Sequence, residues 1–182
     1  MKKLLFQSDD YGLTDAVADG ILKGIHQGII RNTGLFVNMP SSARAAEKIR
    51  DCAEVCVGID INLVAGKPIS DPAEVPSLVN SDGHFVPSVQ RMREGKVIGR
   101  QGMCLCFEQD PYNYEEVLLE TENQVKRFIE LMGRKPEYFH GHSMATPNTQ
   151  KAARVIAEKY NILMTLDVMN SNAISMIPCT WT

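Results

Sequence analysis

The spacing of apolar positions changes several times along the chain, and each change marks an element. Leu4-Leu5-Phe6 is a short apolar run ending at the polar cluster Ser8-Asp9-Asp10-Tyr11-Gly12, and it predicts a buried strand. Val17, Ile21 and Ile25 then recur every four residues, with Ala18 and Leu22 beside them, as on an amphipathic helix. Thr14 can cap that helix, Asp15 suits its first turn and Gly28 can stop it. Leu35-Phe36-Val37 predicts a second strand, 42–49 a helix with Ala43, Ala46 and Ile49 on one side, and 55–63 a third strand. Strand, helix and strand joined by short connections mean parallel βα units.

The pattern breaks over about 65–112, which holds Pro68, Pro72, Pro76, Pro87 and Pro111 among many polar residues. That length predicts an excursion or lid rather than a simple connection. Order resumes at Asn113, an N-cap with Glu116 three residues on; Tyr114, Val117, Leu118, Thr121, Val125, Phe128 and Met132 share one helical face, and Gly133 ends it. Tyr138-Phe139 reads as a strand, Thr146-Pro147 opens a helix whose Ala152, Ala153, Ile156 and Tyr160 face the core, and 162–166 reads as a fifth strand. The tail, 170–182, has no usable period. One α/β domain spanning 1–182 is expected, its sheet either open or most of a barrel.

Composition narrows the function classes. A net charge of -3 with both signs scattered argues against a nucleic-acid surface. No apolar run approaches the length of a membrane span, and the apolar start is too short for a signal peptide. The five cysteines form no Cys-x-x-Cys pair and read as reduced thiols, so a cytoplasmic protein is expected. Cys104-Leu105-Cys106 reads as strand alternation rather than as a soft-metal site.

The candidate chemistry lies in three polar clusters at or just past predicted strands: Ser8-Asp9-Asp10-Tyr11-Gly12, Asp60-Ile61-Asn62 and His140-Gly141-His142-Ser143. Parallel strands bring their carboxyl ends to one face, so clusters about 50 to 80 positions apart can meet there. Carboxylates and imidazoles together suit one divalent cation, Mg, Zn, Mn or Fe(II). One carboxylate can bind it while another serves as general base. Taken singly, Asp9-Asp10 reads equally well as a helix-entry pair, and His140 and His142 as ordinary core or surface histidines. Asp60 lies between Ile59 and Ile61, where an unpaired carboxylate is costly to bury. His26 is expected on an exposed helix face and His84 in a turn.

These segments also resemble a known family in order. Ser8-Asp9-Asp10-Tyr11-Gly12-Leu13 is similar to the Asp-Asp-Phe/Tyr-Gly opening of the YdjC-like carbohydrate deacetylases. Residues 32–40 resemble the family's second strand, and Gly58-Ile59-Asp60-Ile61-Asn62-Leu63 its Gly-Leu-His-Leu-Asn-Leu segment, followed by Gly66-Lys67-Pro68. Val75-Pro76-Ser77-Leu78-Val79 with Asp82-Gly83-His84-Phe85 is similar to the next loop, and 134–142 to the strand carrying Asp-Gly-His. The resemblance implies an irregular or incomplete TIM-like (β/α) barrel, one divalent metal and an N-acetylated sugar as substrate. Carried over, Asp10 and His142 are metal ligands, joined by Asp60 at the family's histidine position. Asp9 is the general base, and Tyr11 and Asn62 line the sugar pocket.

The departures shape these expectations. Asp60 adds negative charge where the family has imidazole and favours a harder metal. His140 replaces the Asp of Asp-Gly-His and supplies either a nitrogen ligand or an outer hydrogen bond. Met144 and Thr146 stand where the family has further histidines, and no late His-Pro-Gly segment offers a general acid. A non-catalytic carbohydrate-binding relative, and a metal-dependent hydrolase or isomerase of another small polar substrate, stay open on the same residues. An unfinished barrel exposes an apolar strand edge, so a second copy of the chain, as a homo-oligomer, or the tail is expected to cover it.

Overall fold

The computed structural model describes residues 5–172. Its centre is a five-stranded parallel sheet of β1 (Gln7–Tyr11), β2 (Asn32–Leu35), β3 (Cys56–Ile61), β6 (Tyr138–Gly141) and β7 (Leu163–Met164), in that spatial order. The helices α1 (Asp15–His26), α2 (Ser42–Ile49), α4 (Tyr114–Met132) and α5 (Pro147–Tyr160) lie between successive strands. Each next strand is added on the same side, so right-handed crossovers put these helices on one face of the sheet. There α1 packs on β1, α2 on β2, α4 on β3 and α5 on β6. The architecture is thus mixed α/β with a parallel sheet, and no pairing between β1 and β7 closes it among the described residues.

Alternation along β3 explains how the sheet serves two purposes. Val57, Ile59 and Ile61 are buried in the apolar core with Leu35 and Phe139 from the neighbouring strands. Gly58 and Asp60 point the other way, as period-two geometry requires. Register sets Gly34 beside Gly58 and Asp60 beside His140. The face turned away from the helices carries the buried Tyr138 ring, packed over Gly58, together with most of the chemistry.

The helices begin and end where local chemistry directs. The Thr14 hydroxyl accepts from the Val17 amide, and the Asn113 side chain accepts from the amides of Glu115 and Glu116. Gly133 ends α4 at φ 69°, a left-handed conformation that glycine adopts without penalty. Thr146 and Thr149 form a reciprocal capping pair at the start of α5. The stretch 65–112 contains α3 (Ser88–Glu94) and an antiparallel hairpin of β4 (Val97–Gln101) and β5 (Cys104–Phe107). Arg91 is buried at its root, donates to the carbonyls of Ser77, Leu78 and Pro111, and stacks over the Tyr112 ring at 4.3 Å. The Leu105 amide donates to the Ala145 carbonyl, tying the hairpin to the loop after β6.

Three strand expectations need correction. The apolar run at 4–6 is not a buried strand: Leu5 is 58% exposed and Phe6 45%, Leu4 lies outside the described residues, and the strand is the polar stretch that follows. β1 is an outer strand, and no neighbour covers Leu5 and Phe6 among the described residues. The second strand is displaced towards the amino terminus and ends at Leu35, leaving Phe36 and Val37 buried beyond it. The fifth stops after Met164, where the chain turns into α6 (Thr165–Ser171) and the Thr165 hydroxyl donates to the Phe139 carbonyl. Cys179 and the tail beyond Asn172 lie outside the described residues.

Among the described residues no helix is long and apolar enough to cross a membrane, and Cys52, Cys56, Cys104 and Cys106 are free thiols. Replacing Thr146 by Ala removes the α5 cap, and we expect a loss of about 1 kcal/mol, read as a lower denaturant midpoint with an unchanged slope.

Candidate metal centre at the carboxyl ends of the strands

Asp9 and Asp10 owe their placement to an irregularity in β1. Ser8 pairs with Thr33, but the next register pair is Tyr11 with Leu35, so an extra residue bulges between them. Asp10 takes up the bulge at φ 69°, a region that Asp tolerates better than most residues. The bulge turns the two carboxylates towards β3 and β6 rather than along the outer edge. The Asp10 amide donates to Asp60 Oδ2 at 3.2 Å, joining strands that are not neighbours in the sheet.

Asp60 is fully buried on the central strand. It occupies space that only glycine leaves free, since a Cβ on Gly34 would lie 1.9 Å from Asp60 Oδ1. Burial, reinforced by the charge of Asp9, pushes its pKa up to about 8. Among the described residues, Asp60 Oδ1 and Asp10 Oδ1 are both buried without a hydrogen-bond partner. Asp10 Oδ1 does lie 3.2 Å from His142 Nδ1, close enough for attraction but not aligned as a hydrogen bond. Orphaned carboxylate oxygens, one of them beside an imidazole, are the donor types that a divalent cation takes.

His142 follows β6, with its amide donating to the Ile61 carbonyl. Its ring meets Phe36 edge-on at 4.8 Å, and burial holds its pKa below the ordinary value against the pull of Asp10 and Asp9. A neutral imidazole keeps a lone pair for a cation. His140 lies 3.9 Å from Asp9, and its Nδ1 is 3.4 Å from the Thr165 hydroxyl. Ligand atoms of Asp9, Asp60 and His140 all fall within 4.8 Å of one another. The tertiary structure thus gathers Asp9, Asp10, Asp60, His140 and His142, with Asp60 between two subsets: Asp10 with His142, and Asp9 with His140.

Tyr11 and Asn62 are placed otherwise than expected. Tyr11 is fully buried and its hydroxyl donates to the Ala45 carbonyl at 2.8 Å, because the side chain points into the helix-covered core. Asn62 is also fully buried, and its amide group is spent on the protein. Its Nδ2 donates to Asn38 Oδ1 and the Ala65 carbonyl, while its Oδ1 accepts from the amides of Val64 and Ala65. It shapes the loop after β3 and has no capacity left for a sugar.

Five contributing residues went unnoticed in the sequence. Gly34 makes room for Asp60, Phe36 supports His142, Thr165 meets His140, and Glu120 with Gln124 fixes the adjoining loop. Buried Glu120 accepts from the Ile69 and Ser70 amides and from Gln124 Nε2, while Gln124 bonds both ways with the Asn62 backbone. Only Gly34 carried a signal, a glycine inside a strand marking a close approach.

The family profile described as YdjC-like protein matches residues 3–178. The chain belongs to the YdjC-like family. It is 31% identical to carbohydrate deacetylase 2 of Listeria innocua, over 88% of this chain and 58% of that protein. With the carbohydrate deacetylase of Thermoanaerobacter pseudethanolicus the identity is 30%, over 89% and 59%. Among solved structures, an Enterococcus faecalis protein titled a cellobiose-phosphate cleavage protein superposes with a TM-score of 0.74 at 27% identity, covering 90% of this chain and 58% of that one. This YdjC-like chain therefore spans a little under three-fifths of the length of these relatives.

Two outcomes test the geometry. Because folding raises the Asp60 pKa, the metal-free protein binds an extra proton between its unfolded value of 3.8 and about 8. That contribution to stability is complete at the acid end of the window and is lost as pH rises through it. Asp60→Asn should therefore gain stability relative to the parent as pH rises to about 9, measured as paired melts in chelator. Gly34→Ala should lower stability by about 1–3 kcal/mol through overpacking and weaken divalent-metal binding, measured by denaturation and calorimetric titration.

Proposed function

We propose that this chain is a metal-dependent carbohydrate deacetylase that hydrolyses the amide of an N-acetylated sugar. The observation that carries the reading is the convergence of acidic and imidazole groups at the strand ends: Asp10 Oδ1 lies 3.2 Å from His142 Nδ1, and ligand atoms of Asp9, Asp60 and His140 fall within 4.8 Å of one another. Family membership and the names of the curated relatives support the reaction class. We read the parallel sheet as part of an irregular or incomplete TIM-like barrel in a single domain, with 65–112 as the excursion over the site. Free thiols support a cytoplasmic setting.

Asp10, Asp60 and His142 would hold the ion, of which Mg, Zn, Mn and Fe(II) are the candidates. When bound, a divalent cation polarises the acetyl carbonyl and makes water more acidic. Asp9 is the general base: its carboxylate is half exposed at the mouth of the cluster, with Gln7 donating to one oxygen at 2.7 Å. It removes a proton from the attacking water, and His140 at 3.9 Å steadies its charge. The protonated Asp9 can then return that proton to the departing amine. Asp60 adds negative charge to the donor set, which favours a harder cation than a histidine in its place would.

A second arrangement rests on the mutual closeness of Asp9, Asp60 and His140, which would make Asp9 a ligand instead of the base. Metal content separates the two. In the first, Asp10→Asn loses the ion, while Asp9→Asn keeps it and drops kcat by at least about 100-fold on N-acetylglucosamine oligomers. The reverse metal pattern supports the second. Absence of acetate release from every N-acetyl sugar by metal-loaded protein would reject the deacetylase and leave a carbohydrate-binding role.

A further inference from the structure

A second group of metal-ligating side chains lies at the opposite end of the sheet. His26 is the last residue of α1, and Cys52 and Glu54 lie on the connection from α2 to β3. They therefore sit at the amino-terminal ends of the strands, away from Asp10 and Asp60. The ligand atoms of His26, Cys52 and Glu54 all fall within 4.8 Å of one another, and His26 Nδ1 is 2.9 Å from Glu54 Oε2. Beside them opens a cleft of about 450 Å³, lined in part by Cys52, Glu54, Cys56 and Arg50.

We propose that His26, Cys52 and Glu54 form a second divalent-cation site, of the borderline-soft kind that takes Zn(II), bridging the first two βα units.

The donor chemistry selects the ion. One imidazole nitrogen, one sulfur and one carboxylate oxygen are the ligand types of zinc sites, and thiolate disfavours Mg or Ca. Bond lengths of about 2.0–2.3 Å in a tetrahedral shell put ligand atoms roughly 3.3–3.8 Å apart. His26 and Glu54 are both more than half exposed, so their side chains are free to close the remaining gap. The position favours a cation for a separate reason: α1 ends at His26, and a helix carboxyl end carries partial negative charge. Cys56 is not the sulfur donor, since burial and its hydrogen bond to Glu137 push that thiol up to about 12. Binding replaces the Cys52 thiol proton with the metal, and that proton leaves to solvent; water fills the fourth position.

Cobalt(II) titration of metal-stripped protein tests this, since thiolate ligation gives a near-ultraviolet charge-transfer band that carboxylates and imidazoles do not. We expect the band to saturate within two equivalents, to disappear in Cys52→Ser, and to persist in Asp60→Asn and Cys104→Ser. His26→Gln and Glu54→Gln, both at exposed positions, should weaken cobalt binding at least about tenfold while leaving the circular dichroism unchanged. Zinc should bleach the band. Absence of the band in the parent protein, or its survival in Cys52→Ser, would overturn the site, and neither result bears on the deacetylase reading.

Discussion

A carboxylate buried at the centre of a parallel sheet governs the rest of this structure. Asp60 has no solvent, and among the described residues its one hydrogen bond comes from the backbone amide of Asp10. Such a group survives either as a neutral acid or beside a cation. The surroundings are built for both states. Gly34 leaves the volume, the β1 bulge delivers the Asp10 amide, and the other carboxylate oxygen has no hydrogen-bond partner among the described residues. A protonated Asp60 removes the cost of burying its charge, and at the proposed metal site exchange of that proton for a cation would link metal affinity to pH.

The scaffold keeps this arrangement from collapsing. The helix-covered face carries Leu35, Val57, Ile59, Ile61 and Phe139, which join the main apolar core, while on the opposite face Tyr138 is buried over Gly58. The rest of that opposite face holds carboxylates, imidazoles and two glycines. The loop after β3 is fixed by the hydrogen bonds of Asn62, and the next one by Glu120, so the strand end carrying Asp60 has rigid neighbours. Arg91 does the same for the excursion with three carbonyls and an aromatic face. Each is a buried polar group with partners supplied by distant segments, which makes the polar network specific to one fold.

Much of this was legible in the linear pattern, and the failures share a cause. The helices α1, α2, α4 and α5 appear where their apolar spacing and caps place them, because both signals are local. Strand limits were less legible, since a short apolar run reads alike whether it lies in a strand or beyond its end. Leu5 and Phe6 fall before the ladder and Phe36 after it. The polar clusters of β1, β3 and β6 do meet, as strand-end geometry anticipates. Tyr11 and Asn62 were misread because alternation and loop closure direct their side chains, and neither is visible from residue type.

The sequence by itself determined the succession of βα units, the helix limits and the kinds of atom available for a metal, since periodicity, capping and ligand chemistry act within a few residues. Tertiary structure decided which atoms meet: the bulge that turns Asp10 inward, the gap over Gly34 that admits Asp60, the pairing of Asp10 with His142 and of Asp9 with His140. Those depend on strand register and side-chain volume across the sheet, between positions about 25 to 130 residues apart, where no local pattern reaches.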